Sequence, residues 1–143
     1  MHFVVRLQKK ANKLHKKGYV LIPKIMWAIN RVFFSCDIPA SVEIGNGTGF
    51  FHNGLGCVIH GAARIGDECK IYQNVTMGGN GKEKCLNGVP IIGDNVSIGA
   101  GAVLLGPIVI GNNAVIGANS VVINNVEENT TVAGIPARKI DRK

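Results

Sequence analysis

The sequence predicts a mainly β protein, a parallel β-helix built on a hexapeptide repeat and preceded by a short helical segment. Three observations predict it. From Ile92 onward a large aliphatic residue returns every six positions, at Ile98, Leu104, Ile110, Ile116 and Val122. Small or apolar residues (Val96, Ala102, Ile108, Ala114, Ser120 and Val126) stand four places after each of them. The composition, 19 glycines with 46% hydrophobic but only 6% aromatic residues, describes a backbone that turns tightly and often around aliphatic side chains. In such a repeat each hexapeptide supplies one short strand and one turn, and the inward aliphatics stack into ladders that bury a continuous core. A chain of 143 residues suffices for one such domain with a short appendage.

The appendage comes first. Phe3, Val4, Leu7, Ala11 and Leu14 share one helical stripe with lysines on the other faces, so residues 3 to 17 read as an amphipathic helix ending at Gly18. A second apolar segment runs from Tyr19 to Cys36. Pro23, Lys24, Asn30 and Arg31 interrupt it, leaving a longest apolar run far below the roughly 18 residues of a membrane span. Residues 1 to 36 hold eight basic residues and no acid, whereas residues 37 to 143 hold eight basic and nine acidic ones, so the net charge of +7 belongs to the appendage. A main body so balanced disfavours nucleic-acid binding. The basic helices read first as a cap packed on the domain and second as a peripheral contact with an anionic membrane surface. No signal peptide is apparent, and four cysteines without a Cys-x-x-Cys pair suit reduced thiols in the cytoplasm. The boundary falls at 1–36 for the helical segment and 37–143 for the β-helix.

Read backward, the count of six covers Ile59, Ile65, Ile71 and Met77, and earlier Ile38, Ile44 and Phe50. Two phase breaks separate the three runs. Glycine follows the aliphatic at Gly93, Gly99, Gly111 and Gly117, which reads as a tight turn free of Cβ. Extra residues in a solenoid must bulge outward, and bulges are where function is sought. The first break, "FFHNGLGCVIH", contains His52 and ends at His60; the second, "GGNGKEKCLNGVP", reads as an extended arm. Such an arm reaching over a neighbouring chain would enclose a cleft that a flat prism wall cannot.

With "DIPASVEIGNGTGFFHNGLG", "YQNVTMGGNGK", "IIGDNVSIGAGAVLLG" and "VAGIPARKI" in this order, residues 37 to 140 resemble the left-handed β-helix acyltransferases, and within them the serine acetyltransferase family and its polysaccharide-cluster relatives. The resemblance implies a homotrimer that moves acetyl from acetyl-CoA to a hydroxyl, with His52 as general base and Asp37 orienting it. A carboxylate suits that task because it fixes the imidazole tautomer and stabilises the imidazolium. Direct transfer passes through a tetrahedral oxyanion that backbone N–H groups could hold. For the donor the resemblance implies a groove lined by Gly79, Ala100, Ala102, Ala118 and Ser120, with Lys82, Arg138 and Lys139 for phosphates and Thr131 in the region that closes over the cofactor. His60 is the runner-up base. No metal is implied.

The chain also departs from that family. Typical serine acetyltransferases carry an Asp just before the catalytic His and an Arg-His-Pro in the extended loop; here Phe51 precedes His52 and the loop reads "CLNGVP". A charged amino acid has lost those clamps, so the acceptor stays open between a sugar hydroxyl and L-serine. Two other readings stand beside the transferase, a non-catalytic scaffold and a zinc hydratase on the same prism. The latter needs three histidine ligands, and only His52 and His60 lie in the prism.

Overall fold

In a computed structural model that describes residues 3–81 and 88–140, two helices precede a left-handed parallel β-helix. Helix α1 spans Phe3–Lys16 and α2 spans Leu21–Phe34. The first coil carries β1 (Glu43–Ile44), β2 (Gly49–Phe50) and β3 (Val58–Ile59), and the second β4 (Arg64–Ile65), β5 (Lys70–Ile71) and β6 (Thr76–Gly78). The third carries β7 (Ile91–Ile92), β8 (Ser97–Ile98) and β9 (Val103–Leu105), and the fourth β10 (Val109–Ile110), β11 (Val115–Ile116) and β12 (Val121–Val122). Strands β13 (Thr131–Gly134) and β14 (Ala137–Lys139) form a closing antiparallel hairpin.

Each wall of the prism collects one strand per coil: β1-β4-β7-β10 in the first, β2-β5-β8-β11 and the hairpin in the second, β3-β6-β9-β12 in the third. Register follows the hexapeptide count through both phase breaks, with Ile92 standing between Ile65 and Ile110, and Leu104 between Met77 and Val122. The second residue of each strand from β1 to β13 is turned to the core, so Phe50, Ile71, Ile98 and Ile116 stack as a buried ladder. Both breaks therefore leave the wall at turns and do not disturb the core.

The turn chemistry differs from the expectation for Gly93, Gly99, Gly111 and Gly117. None of these four has positive φ; the left-handed positions are Asn95, Gly101, Asn113 and Asn119, two residues later in each turn. The four glycines serve coil stacking: a Cβ at Gly99 would lie 2.6 Å from the Ala118 nitrogen and one at Gly117 2.8 Å from Ala133 Cβ. The asparagines form a ladder of their own, Asn95 Nδ2 donating to Asn113 Oδ1 (2.9 Å) and Asn113 Nδ2 to Asn129 Oδ1 (3.0 Å). Asparagine tolerates this backbone better than other residues with a Cβ.

A solenoid's first coil leaves backbone groups without a neighbour, and α1 supplies partners. Gln8 Nε2 donates to the carbonyls of Val42 (2.8 Å) and Pro39 (3.2 Å), Asn12 Nδ2 to that of Ala40 (2.8 Å), and Lys9 Nζ to that of Gly45 (2.6 Å). The buried face of α1 is accordingly Val4, Val5, Gln8 and Ala11, rotated from the predicted stripe; Phe3 is exposed and Leu7 and Leu14 are only half-buried. Polar matching to the coil's end sets this rotation, a signal that apolar periodicity does not carry. Val4 and Val5 join the same core cluster as the prism ladders. Helix α2 stops at Ser35, which takes a left-handed conformation (φ 50°) and returns its N–H to the Asn30 carbonyl. Among the described residues no helix is long and apolar enough to cross a membrane.

Candidate active site

The first phase break lies at the edge between the second and third walls. After buried Phe50 the chain makes a short 3-10 turn over Phe51–Gly54, with His52 (φ 53°) and Asn53 (φ 55°) both left-handed. Two successive residues in that region cost on the order of 1–2 kcal/mol each, so the surrounding structure must impose them. Below, the Gly56 N–H donates to the Ser35 carbonyl (2.9 Å), and Gly54 packs so close to Cys36 that a Cβ would lie 2.7 Å from its sulfur. Above, the Asn74 N–H donates to the Leu55 carbonyl (2.8 Å). The Phe51 ring stacks on Tyr72 of the next coil, centroids 4.9 Å apart and planes within 13°. This clamped loop presents His52 exposed, and its side chain makes no hydrogen bond or ion pair among the described residues.

Asp37 sits at the foot of the same edge. Its N–H donates to the Cys57 carbonyl (2.8 Å) and its carbonyl accepts from Ile59 (2.9 Å), so it bridges to Val58 and extends the third wall one coil below β3. Its carboxylate accepts from Trp27 Nε1 (2.8 Å) and Arg31 Nη1 (2.9 Å), with the Arg31 guanidinium 5.3 Å from the centre of the Trp27 ring. No hydrogen bond joins Asp37 to His52 among the described residues; the carboxylate is instead fixed by α2. Since a carboxylate has about four acceptor sites, two donors leave it able to receive an imidazole N–H.

Ala100 and Ala118 occupy this same edge in the third and fourth coils, where the Asn119 N–H donates to the Ala100 carbonyl (2.8 Å). Ala118 is exposed and Ala100 half-buried. The side chains of Ala102 and Ser120 are both fully buried: as the inward residues of their turns they fill the prism, and Ser120 Oγ accepts from the Gly134 N–H (3.1 Å). Thr131 faces outward at the start of β13, half-buried, while Arg138 and Lys139 project exposed from β14. Gly79 is exposed at the opposite edge of the third wall, where β6 runs into the second phase break, and Lys82 lies outside the described residues. His60 shares that opposite edge, exposed, its Nδ1 accepting from the Ala62 N–H (3.2 Å). The structure thus brings Asp37, His52, Ala100, Ala118 and the hairpin along one edge, and sets Gly79 and His60 on another.

Trp27, Arg31 and Tyr72 are neighbours of the site that sequence reasoning missed. Tyr72 had a signal, because it stands directly after Ile71 where glycine follows the aliphatic in four of the later repeats. Arg31 and Trp27 had none beyond helical spacing. The buried thiols take no part: burial pushes Cys36 up to about 12 and Cys57 up to about 11 and raises Cys69, which leaves all three protonated at neutral pH.

The family description "Bacterial transferase hexapeptide (six repeats)" matches residues 90–124. A serine acetyltransferase of Staphylococcus xylosus is 45% identical over 126 residues, 88% of this chain and 57% of the relative. That of Synechococcus elongatus is 41% identical over 132 residues, 92% of this chain and 53% of the relative. Among solved structures, the Brucella abortus serine acetyltransferase in complex with coenzyme A superposes with a TM-score of 0.91 at 35% identity, covering 95% of this chain and 54% of that one. The soybean serine acetyltransferase complexed with serine gives 0.90 at 36% identity, covering 96% and 56%. The chain spans little more than half the length of these relatives. Over most of its length it is thus similar to serine acetyltransferases, and its residues 90–124 match the hexapeptide transferase description.

Proposed function

We propose that the chain is an acetyl-CoA-dependent O-acetyltransferase in which His52 is the general base. The observation that carries this reading is the clamped left-handed turn that holds His52 exposed and, among the described residues, without a hydrogen-bonding partner, on the same prism edge as Asp37 and the Ala100–Ala118 strip. An imidazole free of partners among the described residues can take the proton of an acceptor hydroxyl. The hydroxyl oxygen attacks the thioester carbonyl, the tetrahedral oxyanion collapses, and the CoA thiolate leaves with the proton His52 returns. Asp37, rigid between Trp27 and Arg31, is the positioning carboxylate. Ala100 and Ala118 border the pantetheine groove because small side chains let an extended chain lie close, and Arg138 and Lys139 supply charge for phosphates.

The His52 edge and the Gly79 edge flank opposite sides of the third wall. A neighbour in a trimer completes each site. L-serine is the acceptor favoured by the relatives' names. The Phe51–Tyr72 stack favours a second reading, a neutral sugar hydroxyl, because it places an aromatic pair beside the base where a carboxylate would bind an ammonium group. The test is release of free CoA from acetyl-CoA with L-serine or with a panel of neutral sugars. Release with either acceptor class supports transfer and names the class; CoA binding that cannot be detected overturns the reading.

A further inference from the structure

The two N-terminal helices present surfaces of opposite character, and α2 is inside out. Its fully buried residues are Pro23 and Asn30, while Leu21 (70%), Val32 (75%) and Phe33 (76%) are its most exposed apolar side chains, with Ile22 and Ile25 about half exposed. At 100° per residue Leu21, Ile22, Ile25, Val32 and Phe33 fall within one third of the helix circumference. Lys24 and Arg31 flank that arc on one side. Helix α1 does the converse: its outward face, opposite Val4, Gln8 and Ala11, carries Arg6, Lys10 and Lys13, with Lys17 continuing the line after the helix ends. Arg6, Lys10, Lys13, Lys17 and Lys24 make no ion pair among the described residues, in contrast to Lys16 with Glu43 and Arg31 with Asp37.

An unpartnered apolar helix face needs an occupant, and charge selects among occupants. A second copy docking through the same helices would bring eight basic residues against eight, with no acid in residues 1–36 of either copy. An anionic lipid surface reverses that sign: it attracts the Arg6–Lys10–Lys13–Lys17 line and accepts the α2 apolar arc at the boundary of headgroup and acyl chain. Packed helices whose exposed residues are aliphatic or aromatic on one and cationic on the other match this chemistry. We propose that the α1–α2 pair is a peripheral anchor that seats the protein on anionic membrane surfaces.

The experiment is co-sedimentation of the full chain with vesicles of phosphatidylcholine alone or with about 30 mol% phosphatidylglycerol. The protein sediments with the anionic vesicles at least about tenfold more tightly than with neutral ones, and raising salt to about 0.5 M releases it. The pair Lys10→Gln and Lys13→Gln weakens binding by about 25-fold, at roughly fivefold per cation. Val32→Ser with Phe33→Ser weakens it at least about tenfold by removing the apolar arc. Both double variants keep the parent circular dichroism and melting curve, since the altered side chains are exposed and unpaired. Equal sedimentation with both vesicle types, or none with either, overturns the proposal. So does a concentration-dependent doubling of molecular mass that the Val32→Ser, Phe33→Ser variant abolishes, which would give the surface to a second copy.

Discussion

Replacing Gln8 by methionine tests how the first coil is held. Gln8 is 2% exposed and donates to the carbonyls of Val42 and Pro39, so its loss removes two hydrogen bonds of about 1 kcal/mol net each. Neither acceptor is orphaned: Val42 keeps Asn12 Nδ2 at 3.2 Å, and Pro39 keeps the Val42 N–H at 3.2 Å. Gln8 Oε1 has no partner among the described residues, so replacing the amide by a thioether also removes a desolvation cost of about 1 kcal/mol. Methionine keeps the length of the side chain, and the net loss is therefore about 1 kcal/mol. Adding Asn12→Ala changes the arithmetic, because the Val42 carbonyl then loses both side-chain donors and the Ala40 carbonyl loses its own. An unsatisfied buried acceptor costs about 1–3 kcal/mol, so the double variant exceeds the sum of the singles by at least about 1 kcal/mol. Urea unfolding at one fixed protein concentration measures all four corners of the cycle. Singles that each cost under about 0.3 kcal/mol and combine additively would refute the claim that α1 caps the prism through these amides.

His52→Gly separates strain from chemistry: relief of the left-handed backbone raises stability by up to about 1 kcal/mol in urea unfolding, while CoA release falls by roughly two to four orders of magnitude. Gly99→Ala places a Cβ 2.6 Å from the Ala118 backbone nitrogen, which cannot move without shifting a coil, and lowers stability by about 2 kcal/mol or more in the same assay. Cys36 and Cys57 hold their protons up to about 12 and about 11 when folded but lose them near 9.0 when unfolded. Stability is therefore flat below that point and falls as pH rises above it, by up to about 1.4 kcal/mol per pH unit per thiol, which denaturation at stepped alkaline pH reads directly. Asp37→Asn leaves Arg31 without its carboxylate and costs no more than about 1 kcal/mol in stability, given the pair's exposure, yet lowers kcat and alters its pH profile.

The hexapeptide count made the prism legible because its inward positions are set by one repeating constraint, burial of an aliphatic in every strand. Ile65, Ile92 and Ile110 stack as that count requires even across the second phase break. The count located the His52 bulge for the same reason, since extra residues can leave only at a turn. It failed wherever a neighbouring coil decides the residue. Gly93 and its equivalents are glycine for inter-coil approach and not for φ. Arg31 and Trp27 reach Asp37 from a helix whose burial pattern contradicts its hydropathy, so no amphipathic reading of α2 could have found them.

The most direct test of the central claim compares CoA release from acetyl-CoA by the parent chain and by His52→Ala at saturating acceptor, with CoA affinity measured calorimetrically for both. If His52 is the base, kcat falls by roughly two to four orders of magnitude while CoA affinity stays within about threefold. A variant that retains kcat within a few-fold of the parent would contradict the account and move the base elsewhere, His60 being the next residue to test.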